Sequence, residues 1–340
     1  MTNPVLVEVV RGALVESVHS GALHVVDGDG RTVLSIGDVD RLIYPRSAIK
    51  ALQALPLVES GAPERFGLGD AELAIACASH NGEESHVATA LGMLTSTGHS
   101  EATLECGPHW PNLWLEPALE LARAHKTPSQ LHNNCSGKHA GFVCLACATG
   151  HDPQGYISPA HPVQRFVAQS VSDMTDFRID QDSLFGIDGC SAPNWALPLR
   201  ALALGFARFA TGHGVGPERA KAAARLRQAV AARPDMVAGT KRFDTEVMRL
   251  LGARAFIKVG AEGVYCASLP EPGLGVAIKI DDGATRAAEV VMAELLARFL
   301  NLPEAMSAGL ERFRTPQIAN WRGTQTGFVR ASGALLPKAR

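Results

Sequence analysis

Strand-patterned segments stand at both ends of this 340-residue chain, and helix-patterned sequence fills the space between them. Residues 5–10, 13–18 and 22–26 are short runs rich in Val and Leu, punctuated by turns such as Asp27-Gly28-Asp29-Gly30. Residues 254–259, 263–269 and 275–280 repeat the pattern, with Glu271-Pro272-Gly273 as a hairpin-type connection. The two ends are therefore expected to share one antiparallel sheet flanked by helices. One such helix is 286–300, whose apolar residues recur at helical spacing. Alanine-rich stretches such as 221–232 mark the middle as helical. The expectation is an α+β fold in a single catalytic domain over 1–340, with a sheet subregion from 1–45 and 252–340 and a helical subregion over 46–251. The cleft between the two parts is the expected place for a pocket.

Composition narrows the partners. Apolar residues make up 46% and charged residues 19%, enough to bury an ordinary core. The formal net charge of -2 is scattered, which excludes the concentrated basic patch that nucleic acid or an anionic membrane requires. No run approaches the roughly 18 apolar residues of a membrane span. The opening Met1-Thr2-Asn3-Pro4 has no basic segment followed by an apolar one, so no signal peptide is expected. Seven cysteines, an odd number without disulfide-framework spacing, fit a soluble protein of the reducing cytoplasm. There they serve as core residues, nucleophiles or metal ligands.

Three short motifs carry candidate chemistry. In Ser47-Ala48-Ile49-Lys50, two residues after Pro45, Ser47 stands at or near the start of a helix expected over 48–57, and Lys50 shares its face. A capping serine is the plain alternative. A capping box, however, places Glu or Gln where Lys50 stands, and a lysine has the wrong sign for a helix N-terminus. That position suits an amine that works neutral, as a general base toward a serine hydroxyl. Ser79-His80-Asn81 follows a buried run, 74–78, and precedes another helix, so Ser79 and Asn81 can face a cleft or merely cap a turn. Lys258-Val259-Gly260 ends a strand and can aim an amine at Ser79 or at a substrate carboxylate, or be a solvated edge lysine. The order S-x-x-K, S-x-N, K-x-G on helix, turn and strand is that of the penicillin-binding, class A β-lactamase and glutaminase group, with Val259 in place of the usual threonine.

A second cluster is dense in metal-capable groups. His132-Asn133-Asn134-Cys135-Ser136-Gly137-Lys138-His139 precedes an apolar helix, 141–147, and Gly186-Ile187-Asp188-Gly189-Cys190 lies further on. Thiolates at Cys135 and Cys190 suit zinc. His132, His139 and Asp188 are candidate further ligands, and generic chemistry ranks histidine ahead of lysine, which must lose a proton to coordinate. Cys77, Cys106, Cys144, Cys147 and Cys266 read as core residues.

Together with Tyr44-Pro45-Arg46, Cys106-Gly107-Pro108-His109 and Arg242-Phe243-Asp244-Thr245, these motifs resemble the Rhizobium-type (class 3) L-asparaginase family, also called asparaginase II. The resemblance covers nearly the whole chain. It implies a serine β-lactamase-like fold, a homodimer, L-asparagine as substrate, and two Ser-Lys pairs, Ser47 with Lys50 and Ser79 with Lys258. It also implies a zinc ion on Cys135, Lys138 and Cys190, so that Lys138 replaces the histidine that generic chemistry prefers. Arg46, Asn81, Lys138, His139 and Asp188 are the expected substrate-binding residues. Lys241, in Gly239-Thr240-Lys241-Arg242, departs from the small residue expected there. Rival readings are a glutaminase or β-lactam/peptide hydrolase on the same fold, a non-catalytic zinc-bound amino-acid sensor, and a structural zinc protein.

Overall fold

The computed structural model of the chain describes residues 2–335. Its strands are β1 (Val5–Arg11), β2 (Leu14–Asp27), β3 (Thr32–Ile36), β4 (Leu42–Ile43), β5 (Phe185–Ile187), β6 (Pro193–Trp195), β7 (Leu197–Pro198), β8 (Phe256–Val259), β9 (Val264–Leu269), β10 (Leu274–Ile280), β11 (Gln317–Ala319) and β12 (Gln325–Ala331). Eight of them make one sheet in the order β11-β12-β1-β2-β10-β9-β8, with β3 also on β2. Every pairing in that sheet is antiparallel. β2 is the strand that joins the two ends of the chain. Its first half pairs with β1 and its second half with β10.

β9 and the central part of β10 are buried on both faces. That is why their sequence reads as continuous apolar residues rather than alternating ones. The helix Leu199–Thr211 packs against β10, β9 and β2, and Thr285–Phe299 packs against β10, β9, β1 and β12. Leu199–Thr211 rests almost on strand backbone. A Cβ placed on Gly275 would lie 2.1 Å from Ala207 N and 2.2 Å from Ala203 O. The rest of the helical part, from Lys50–Gln53 to Phe243–Leu251, lies beside the sheet, with the small pairs β4-β7 and β5-β6 inside it. Among the described residues no helix is long and apolar enough to cross a membrane.

The α+β architecture with both chain ends in one sheet is as expected, and β8, β9 and β10 lie where the sequence places them. Three details differ. Residues 13–18 and 22–26 belong to one strand, β2, not two. Gly21 continues the strand because only a residue without a Cβ fits there, 2.4 Å from Lys279 O. β3, β11, β12 and the helix Glu304–Arg314 were not anticipated. The helix expected over 48–57 is broken into a 3₁₀ turn Arg46–Ile49 and two short helices, Lys50–Gln53 and Leu55–Glu59. Pro56, which has no N–H to continue the ladder, lies at the start of the second. Of the sheet region expected from 1–45 and 252–340, residues 1 and 336–340 lie outside the described residues.

Candidate active site

Ser47 is the second residue of the 3₁₀ turn and not a cap; the cap position is Pro45. The turn is held tightly from below. A Cβ on Gly260 would lie 2.8 Å from Pro45 O and 3.1 Å from Ala48 N, so the glycine of Lys258-Val259-Gly260 lets the end of β8 pass under Ser47. The preceding Arg46 has φ of 51°, a left-handed conformation that a residue with a side chain rarely takes. Its guanidinium reaches Asp188 through both ends of the fork, Nε to Oδ2 and Nη2 to Oδ1, each at 3.1 Å.

Among the described residues Lys50 makes no hydrogen bond to Ser47, though both line one cavity. Its Nζ donates to Ala78 O at 2.5 Å, lies 3.0 Å from Ser79 Oγ and 2.9 Å from Cys135 Sγ. Lys258 approaches the same serine from β8, with Nζ 2.9 Å from Ser79 Oγ and 2.8 Å from Val259 O. Ser79 is thus held between two lysine amines, and both lysines are buried. Lys258 is fully inaccessible, and burial pulls its amine down to about 7; Asp244 opposes that shift, while Lys50 and Arg242 reinforce it. Lysine with that value is largely neutral at mildly alkaline pH, the state in which it accepts a proton.

The turn that carries Ser79 is clamped by residues 239–242. Asn81 Nδ2 donates to Thr240 O at 3.0 Å and to Glu83 Oε1 at 2.9 Å. Arg242 Nη1 donates to Asn81 Oδ1 at 3.2 Å and to Ser79 O at 3.3 Å. Every hydrogen-bonding arm of the Asn81 amide that these bonds use points into protein, which makes Asn81 a brace of the Ser79 turn here. Lys241, at φ 59°, lies 4.7 Å from the ring centroid of Trp114.

Cys135 caps the helix Ser136–Ala148 and Lys138 stands in its first turn. The turn between Asp188 and Ala192, closed by Ser191 N donating to Asp188 O at 2.8 Å, brings in Cys190. Lys138 Nζ lies 3.0 Å from Cys190 Sγ. The Cys190 thiol is pulled well below its ordinary value by the hydrogen bond from Cys135, then by Lys138 and His139. Among the described residues no three His, Cys, Asp or Glu side chains form a metal-holding group. Two sulfurs and an amine do come together.

His139 is buried and does not line the cavity. Tyr156 Oη accepts from Glu105 N at 2.8 Å, so its own proton points to His139 Nδ1 at 2.7 Å. Burial drives the imidazole down to about 4, so it is neutral at pH 7 with its proton on Nε2. That nitrogen donates toward Cys190.

Arg46, Ser47, Lys50, Lys138, Asp188 and Cys190 face one small cavity of about 10 Å³, which holds about one water. Gln53 and Asn194 also line it; Asn194 Oδ1 accepts from Arg46 N at 3.3 Å. Sequence reading missed Gln53 and Asn194. Neither belongs to a motif, and only the fold brings them to the cavity. His132 is taken up in the turn before Cys135, its Nδ1 accepting from Ser129 N at 3.0 Å. A surface groove of about 1160 Å³ lies between Glu59, Asp173 and Arg219 and contains none of these groups.

The class is that of the asparaginase-type amidohydrolases: the sequence model describing L-asparaginase II matches residues 7–331. This chain belongs to the L-asparaginase II family. A search of curated proteins finds no match. Similar solved structures include a proposed β-lactamase of Bacteroides dorei DSM 17855, 13% identical, covering 83% of this chain and 93% of that one with a TM-score of 0.44. A β-lactamase of Mycobacterium bovis is 13% identical, covering 86% and 94% with a TM-score of 0.40. A protein named Mglu, in its native form, is 15% identical, covering 88% and 69% with a TM-score of 0.37. None of these likenesses bears on substrate or mechanism.

Proposed function

We propose that this protein hydrolyses the side-chain amide of L-asparagine to L-aspartate and ammonia by acyl transfer to Ser47. The observation that carries the reading is the buried chain Lys50–Ser79–Lys258, which ends at the cavity that Ser47, Arg46 and Asp188 share. Ser47 is the half-buried serine facing that cavity, while Ser79 is buried behind it. Ser47 Oγ attacks the amide carbon, and its proton passes to Lys50 as Lys50 hands one through Ser79 to neutral Lys258. The C–N bond then breaks, the proton returns along the chain to the leaving nitrogen, and ammonia departs. Water attacks the β-aspartyl ester with the same chain accepting its proton, and Ser47 is restored.

Arg46 and Asp188 satisfy each other in a fork-to-fork pair. A free amino acid carries the same two charges. Its α-carboxylate takes the Arg46 guanidinium, its α-ammonium takes Asp188, and the internal pair opens to admit it. Cys135, Lys138 and Cys190 fit zinc by the chemistry of their donors, and zinc there would displace the Lys138 proton and fix that side chain and its neighbour Asp188 in place. A shell rich in thiolate leaves little charge for polarising a carbonyl, so its role is to orient.

Ser79 as nucleophile is a second reading, favoured by its direct contacts with both lysines. Ammonia release from L-asparagine, with L-glutamine and nitrocefin in parallel, tests the substrate. Turnover of asparagine with little of the others supports the proposal, and binding of asparagine without ammonia release points to a sensor. Trapping the acyl-enzyme with Ser47→Ala and Ser79→Ala proteins separates the nucleophiles. An ester that forms in Ser47→Ala but not in Ser79→Ala assigns the attack to Ser79.

A further inference from the structure

Asp244 stands in the first turn of the helix Phe243–Leu251, one residue after its start, and is almost wholly buried. Its Oδ1 accepts the Val259 N–H at 2.9 Å. The carbonyl of that same Val259 accepts from Lys258 Nζ at 2.8 Å. One residue is therefore gripped at both ends, by the carboxylate at its nitrogen and by the lysine amine at its oxygen. The amine in turn reaches Ser79.

The hydrogen bond alone does not require a charge. An asparagine carbonyl would accept from Val259 equally well. A buried carboxylate carries a desolvation penalty of several kcal/mol that one backbone N–H offsets only in part. On its other side the buried Tyr265 hydroxyl donates toward it and offsets the penalty in part, while Glu289, from the helix Thr285–Phe299, is another acid. Glu289 is raised to about 7 by burial and then by Asp244, which fits an acid that takes up a proton beside a fixed negative charge. Lys258 is a cation in range of Asp244.

We propose that Asp244 is a positioning residue for the reaction, holding Lys258 against Ser79 through Val259 and placing its carboxylate where it acts on the Lys258 amine. This rests on the reading of Lys258 as the proton acceptor. The other groups that act on Lys258 come from every side. Lys50, from the helix Lys50–Gln53, and Arg242, before Phe243–Leu251, repel its ammonium, while Cys135 acts in the same direction as Asp244. Cys266 faces it across the β8-β9 ladder and Cys77 follows the helix Asp70–Ala76; both thiols are buried and raised, and add bulk rather than charge. Asp244 is the carboxylate among the groups that act most on the amine, so its removal has a defined sign.

The test is a titration of the native protein and of Asp244→Asn with ¹³Cε-labelled lysine, the Lys258 resonance being identified by its loss in Lys258→Met. The acid limb of kcat/KM for ammonia release is measured alongside. In Asp244→Asn the Lys258 resonance is expected to titrate about one pH unit lower, the size of effect that a neighbouring opposite charge exerts. The acid limb should move with it, so that the variant loses less activity on acidification than the native protein. A structural role alone would lower activity and leave both midpoints in place, and an unmoved resonance in folded Asp244→Asn overturns the proposal. A resonance that moves while the acid limb stays keeps Asp244 in its role and removes Lys258 from the catalytic one. Should Asp244→Asn not fold, Tyr265→Phe serves, since it deletes the hydroxyl that donates toward Asp244. Losing the dipole beside Asp244 strengthens its field, so the Lys258 midpoint should rise, and no rise in that variant overturns the proposal.

Discussion

The floor and the rim of the site are built to opposite specifications. On the floor, Ser79 touches two lysines, its carbonyl takes Arg242, and Asn81 is bonded to Glu83, Thr240 and Arg242. On the rim, the Ser47 hydroxyl lines a cavity with room for about one water, Arg46 and Ser191 hold left-handed backbone, and the Arg46–Asp188 pair is satisfied internally. The floor is organised before any substrate arrives, which is where preorganisation helps a proton-transfer step. The rim holds conformational strain of the kind that collects at functional sites, and it must change to admit an amino acid. On the proposed mechanism, proton handling and substrate admission are thus divided between two sets of residues.

The sharpest way to break this division is Lys258→Met. Methionine fits an apolar slot between Cys77 and Cys266, so the protein should still fold while kcat falls about 10²–10⁴-fold, the range of general-base catalysis. A loss below tenfold, with an unchanged melt, would move the chemistry to the rim. Arg46→Gln and Asp188→Asn probe the other side. Each should raise KM about 10- to 100-fold, as loss of a charge-assisted contact to the substrate does, and lower kcat much less. Equal falls in kcat and kcat/KM would put the rim in the transition state.

The pH dependence belongs to the floor. On the proposed mechanism the neutral form of Lys258 is the active one, and burial pulls that amine down to about 7, so kcat/KM should fall about tenfold per unit below that midpoint and level off above it. A maximum near pH 6 would contradict the assignment. The smallest effect expected is that of zinc removal: chelation should raise KM several-fold, about the effect of disturbing an orienting shell, and lower kcat less. An equal loss of kcat would make the metal part of the floor.

Much of this was legible in sequence because motifs are local. Ser79-His80-Asn81 and Lys258-Val259-Gly260 state their turn and strand context directly, and the alternation of strand, helix and strand patterns foretold a sheet built from both chain ends. The joint between Ser47 and Lys50 was not legible. Helical spacing places their side chains on one face, but Pro56 shortens the helix and the acceptors at Ala78, Ser79 and Cys135 draw the amine inward. Asn81 and His139 were read as substrate contacts from their motifs, yet their partners, Thr240, Arg242 and Tyr156, are distant in sequence. Gly260 and Gly21 show why glycine is ambiguous in one dimension. Each reads as a break, and each is where two backbones touch.

The sheet order also sets a timetable. β2 waits for β10, whose residues pair with it from nearly 250 positions further along the chain. At the usual rate of synthesis that interval is about 12–50 s, during which the first hairpin has no partner for its inner edge. Lys258 emerges in the same late segment, on β8. A ribosome-bound fragment ending before it would carry Ser47, Ser79 and both cysteines of the candidate metal site without the lysine that the proposed mechanism uses as proton acceptor.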